Sequence, residues 1–143
     1  MVAAIVFGGG LLVPEVVQAQ RLEWLPAGGL HFGGPQRASL ALGALAVPTA
    51  GDSRFGLVAL AEPGLGGAKV RAGLALVTGF ITGFELQGSL LRTFGNPVHS
   101  ERWQTYAGGE VHAMFVLINI GIGEYAAIGG GKSITTLTFG LGL

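Results

Sequence analysis

Few side chains in this chain could do chemistry. Three histidines stand at positions 31, 99 and 112, and the serine that neighbours a histidine, Ser100, lies in His99-Ser100-Glu101. A nucleophilic set needs the base within hydrogen-bond reach of the hydroxyl and a third group to orient the base. In an extended segment adjacent residues point to opposite sides, so this triplet reads as part of a solvated loop. Glu110 and His112 share one face of an alternating segment and could polarise each other as acid and base. No third group is forced near them by spacing, so a hydrogen-bonded structural pair is the expectation. The histidines lack metal-ligand spacing. Gly129-Gly130-Gly131-Lys132-Ser133 ends like a phosphate-binding loop, but that pattern needs a glycine where Ala126 stands and a helix afterwards. No catalytic site, metal or cofactor is expected.

Composition explains why such residues are scarce. Charged residues make up 11% and hydrophobic ones 50% of the 143, and the mean hydropathy is +0.60. Yet no run of about 18 apolar residues escapes interruption by glycine, charge or amide, so a spanning helix is not indicated. Glycine occurs 27 times, a density that opposes helices at roughly 1 kcal/mol per interior position. A closed β-barrel reconciles these properties, because in lipid only helices and closed barrels pair every backbone polar group. Eight basic and eight acidic residues balance, which argues against a nucleic-acid surface. Without cysteine there is no disulfide framework.

Residues 1–19 read as a signal peptide: Val2 to Val13 is apolar, Pro14 follows, and Val17-Gln18-Ala19 fits a cleavage site, although no Lys or Arg precedes the apolar core. The alternative is an ordinary buried strand or helix. Residues 20–143 then form one domain.

Period-two alternation marks the strands of that domain. It is clearest at the C-terminus, where Leu137, Phe139, Leu141 and Leu143 oppose Thr136, Thr138, Gly140 and Gly142. Similar alternation runs through Arg37–Ala44, Lys69–Leu76, Phe84–Leu90, Tyr106–Ala113 and Ile118–Gly123, with less contrast at Glu23–Phe32 and Arg54–Ala61. Gly and Pro clusters separate most of them. The exception is Met114 to Leu117, where a tight apolar turn is required to keep strands near the 9–11 residues that span a bilayer. The fold class is therefore all-β, an antiparallel up-and-down transmembrane barrel of about eight strands.

The inward faces collect Arg37, Lys69, Arg71, Glu85, Gln87, Glu110, His112 and Asn119. Eight strands leave room for side chains but hardly for a pore, so these charges must be paired. The expected network sets Lys69 and Arg71 against Glu85 across a hairpin at Thr78-Gly79, with Glu110 on the next strand. A proton path or narrow polar conduit is the alternative.

On alternation, short turns and the ending Leu137-x-Phe139-x-Leu141-x-Leu143, the segment from about Glu23 to Leu143 resembles the small eight-stranded outer-membrane barrels of the outer-membrane protein A transmembrane-domain type. That resemblance implies bacterial outer-membrane lipid as surroundings and a last strand read by the barrel-assembly machinery, with Leu143 in the place usually held by an aromatic. It also implies aromatic girdles, for which Trp24, Trp103, Tyr106 and Tyr125 are the candidates. The expected role is structural or interactive rather than enzymatic. Two alternatives stay open. A soluble lipocalin-like barrel would turn Leu74, Leu86, Leu137 and Phe139 inward around an apolar ligand and put Lys69, Arg71 and Glu85 in water. A lipid-modifying hydrolase or narrow channel is the other.

Overall fold

The computed structural model describes residues 22–48, 55–78 and 82–142. The expected signal peptide, Leu143, and parts of the breaks after Pro48 and Thr78 lie outside the described residues. Eight antiparallel strands follow in chain order: β1 (Leu22–Gly33), β2 (Arg37–Pro48), β3 (Phe55–Pro63), β4 (Gly67–Val77), β5 (Thr82–Thr93), β6 (Thr105–Phe115), β7 (Ile118–Ala127) and β8 (Ile134–Gly142). Each pairs with its sequence neighbours, and β8 returns to β1 to close the barrel. Among the described residues there is no helix.

Side chains alternate between the two faces along nearly every strand. In β5, Phe84, Leu86 and Leu90 face out together with the backbone of Gly88, while Glu85, Gln87, Ser89 and Leu91 are buried. In β7, Ile118, Ile120 and Ile122 face out against Asn119, Gly121 and Gly123. Register locks this arrangement, since a slip of one residue would exchange the faces. Ala72 opposes Gly88, and Gly88 opposes Gly109, so the outward faces of β4, β5 and β6 coincide.

Connections at one end of the barrel, β1–β2, β3–β4, β5–β6 and β7–β8, include the 94–104 loop, the longest in the described chain. That loop is anchored rather than loose. Thr93 Oγ1 donates to Glu101 O at 2.6 Å, and Gln104 Nε2 donates to Ile128 O at 2.8 Å in the β7–β8 connection.

The apolar turn expected near Met114 to Leu117 is a two-residue hairpin of Val116 and Leu117, with Phe115 opposite Ile118. The absence of Gly or Pro has a visible cost: Val116 has φ 58. A β-branched residue in that region is a genuine outlier, in a turn position that usually favours Gly. The Leu117 carbonyl accepts a 2.8 Å hydrogen bond from Gly142 N, which ties the turn to the end of β8. Val116→Gly is expected to stabilise the fold by about 1 kcal/mol, the cost of a left-handed L residue less the entropy of the added glycine. Equilibrium urea unfolding checks this, and an unchanged or lowered midpoint would contradict it.

Candidate functional site

The barrel interior holds the only dense set of polar side chains among the described residues. Lys69 and Arg71 occupy successive inward positions of β4, and both are buried. Their carboxylate partners come from strands on either side. Lys69 Nζ lies 2.7 Å from Glu110 Oε1 on β6 and 3.5 Å from Glu62 Oε2 on β3. Arg71 stands 3.5 Å from each carboxylate, through Nε to Glu62 and Nη1 to Glu110. Two buried cations thus share two buried anions, the arrangement that offsets desolvation in so narrow a lumen.

Neutral and imidazole groups complete the cluster. Ser39 Oγ donates to Glu62 Oε1 at 2.5 Å, and Gln36 Nε2 donates to the Glu62 carbonyl at 2.6 Å. His112 Nε2 lies 2.8 Å from both Arg71 Nη1 and Glu110 Oε2, while its Nδ1 faces Asn119 Oδ1 at 2.8 Å. His31 Nδ1 is 3.3 Å from Glu62 Oε2. Tyr125 donates its hydroxyl to Glu110 and is 2.8 Å from Ser89 Oγ. The cluster therefore links β1, β2, β3, β4, β5, β6 and β7, many of which do not touch within the sheet.

Glycine makes room for it. A Cβ on Gly121 would collide with the His112 ring, and one on Gly140 with the His31 ring. The inward positions 121 of β7 and 140 of β8 are glycine because imidazole rings from other strands fill that space.

Apolar side chains bracket the charges along the strands. On β5, β6 and β7, Leu91, Tyr106 and Tyr125 form a buried cluster nearer the long-loop end than Gln87, Glu110 and Asn119. On β3 and β4, Val58, Leu60 and Ala75 cluster on the other side of Glu62, Lys69 and Arg71. Beside Lys69, Glu110 and Tyr125 a cavity of about 10 Å³ remains, room for about one water.

Of the expected inward set, Lys69, Arg71, Glu85, Gln87, Glu110, His112 and Asn119 are buried. Arg37 is a correction: it is exposed. It opens β2 directly after the β1–β2 turn with φ 69, so strand alternation does not govern its direction. The expected pairing of Lys69 and Arg71 with Glu85 is a second correction. Glu85 opposes Ala75 in the register and takes its hydrogen bond from Gln87 Nε2, while the cations meet Glu62 and Glu110. Tyr106 and Tyr125, candidates for a girdle, are buried inside; Trp24 and Trp103 are exposed.

Glu62 escapes a reading by alternation because Pro63 looks like a turn signal and cuts the strand short. Its parity with Val58 and Leu60 is the clue that the sequence does carry. His99, Ser100 and Glu101 lie in the 94–104 loop. Among the described residues no hydrogen bond joins their side chains, and Ser100 Oγ has no partner.

The fold and its interior define a closed eight-stranded antiparallel barrel with a polar, ion-paired core. Comparison of the chain with family models, curated proteins and solved structures finds no match.

Removing one cation should be costly, because two buried carboxylates would then share Arg71 alone. Lys69→Met is expected to destabilise the barrel by about 3–5 kcal/mol in urea unfolding. The double variant Lys69→Met/Glu110→Gln should recover part of that loss. Strictly additive losses would show that the pair is not coupled.

Proposed function

We propose that this chain is a bacterial outer-membrane β-barrel with a structural or interaction role, surrounded by lipid and not catalytic. One observation carries the reading, the polarity of the barrel. Leu74, Leu86, Leu137 and Phe139 are 54%, 61%, 51% and 50% exposed, while Lys69, Arg71 and Glu85 are buried. Large apolar residues are exposed on all eight strands. A surface of that kind far exceeds the few hundred Å² of contiguous apolar patch usual on a water-soluble monomer. Against lipid it is favourable, and closure of the sheet leaves few backbone groups to satisfy.

Strand length supports the same reading. The strands run from 9 to 12 residues, near the 9–11 that cross a bilayer with tilt. A lipocalin-like carrier is disfavoured because its ligand cavity would need the apolar face inside. A channel is disfavoured by the apolar clusters on both sides of the ionic core. A lipid hydrolase is disfavoured because His99, Ser100 and Glu101 are not joined.

The direct test is folding into detergent or lipid vesicles, followed by electrophoresis with and without boiling. A compact band that shifts on boiling is expected, and a chain that stays monomeric in detergent-free buffer would overturn the reading. Leu86→Arg or Ile122→Arg is expected to cost about 2–4 kcal/mol in vesicles if the residue lies near the bilayer midplane. On a water-exposed surface the change would stay within about 0.5 kcal/mol. In planar bilayers the folded chain is expected to give no steady conductance.

A further inference from the structure

At the long-loop end of the barrel, the β1–β2 turn, the start of β8 and residues 98–99 enclose a cleft of about 430 Å³. That volume suits a small ligand. The lining mixes two chemistries. Val98, Ile134 and Leu137 contribute apolar lining, Arg37, His99 and Thr135 contribute polar lining, and no carboxylate lines the cleft. Glu124 does not line it but touches a lining residue, its Oε1 accepting the Thr135 hydroxyl at 2.6 Å. Among the described residues the Arg37 guanidinium makes no ion pair.

The backbone adds a second, independent observation. Arg37 and His99 have φ 69 and φ 55, two of the four non-glycine residues with positive φ among those described. Such conformations are unfavourable for L residues and persist where surrounding structure enforces them, often at ligand clamps. Val98 N donates to Pro35 O at 3.3 Å, which docks the loop on the turn. That contact brings His99 to the cleft that Arg37 also lines.

The apolar lining is continuous with the barrel exterior. Leu137 is followed on the outward face of β8 by Phe139, which opposes Phe32 of β1. The geometry points to a binding site for a phosphate-bearing lipid, with its headgroup between Arg37 and His99 and an acyl chain along Leu137 and Phe139. A planar guanidinium is suited to two-point recognition of phosphate oxygens. No acid lines the cleft itself, and the Glu124 carboxylate beside it has Oε1 engaged by the Thr135 hydroxyl. The inference rests on the membrane reading for the source of the lipid, whereas the cleft itself does not depend on it.

The test uses the folded chain in a maltoside detergent, which carries no phosphate, with calorimetric titration of dihexanoyl phosphatidate. Inorganic phosphate and dihexanoylglycerol are titrated separately. Saturable phosphatidate binding is expected, about tenfold or more tighter than either fragment. Arg37→Gln and His99→Gln are each expected to weaken it about tenfold, and Arg37→Lys should retain more affinity than Arg37→Gln. A heat-modifiable band from each sample reports that the variant is folded. Equal affinity in wild type and Arg37→Gln would overturn the proposal, as would no saturable binding by a folded barrel. Inorganic phosphate binding as tightly as phosphatidate would reduce the cleft to a bare anion site and overturn the lipid assignment. Should the chain be soluble without detergent, the membrane reading fails, and the same titration in buffer still decides the cleft.

Discussion

Everything in this barrel depends on charge neutralisation in a space too narrow for water to do it. Lys69 and Arg71 project from one strand into a lumen with little free volume. Burying two cations there is tolerable only if anions arrive from elsewhere in the sheet. Glu62 and Glu110 do so from β3 and β6, and Ser39 and Tyr125 add hydrogen bonds to Glu62 and Glu110 respectively. The sheet closes around this cluster as much as the cluster fills the sheet.

The same constraint explains the distribution of residue size. His31 of β1 and Glu110 and His112 of β6 need empty space beside them, and Gly140, Gly123 and Gly121 supply it. Gly123 illustrates the tolerance: an added Cβ would lie 2.8 Å from Glu110 Cγ and 2.9 Å from Thr136 Oγ1. The high glycine content is thus partly a packing requirement of the ionic core, and not only a feature of turns.

Much of the architecture is legible in the sequence because alternation is a direct imprint of two-faced burial. The Ile118–Ile122 and Leu137–Leu141 segments need no tertiary information to be read as strands with one apolar face. The inward direction of Tyr106 and Tyr125 follows from parity with Glu110 and Asn119, and parity outweighs the preference of aromatics for strand ends. Legibility ends where local geometry breaks the period, as at Arg37, whose positive φ turns it outward. It also ends at contacts across the lumen. No rule of spacing in one chain says that Lys69 meets Glu110 over the top of β5, because that choice depends on the stagger of the closed sheet. The rim cleft is harder still, since it joins a turn, a strand start and a loop that are far apart in the chain.

The ionic core has a kinetic consequence. Its members come from seven strands, so a hairpin or a half-built sheet contains the two cations without their full set of anions. In a partly assembled barrel Lys69 and Arg71 have only Glu62 nearby on β3, and Glu110 arrives with β6. The reward for pairing comes late, after loop-closure entropy has been spent on distant segments. Intermediates with three or four strands are correspondingly penalised, and assembly favours a concerted closure in which the last strands and the central charges find one another together.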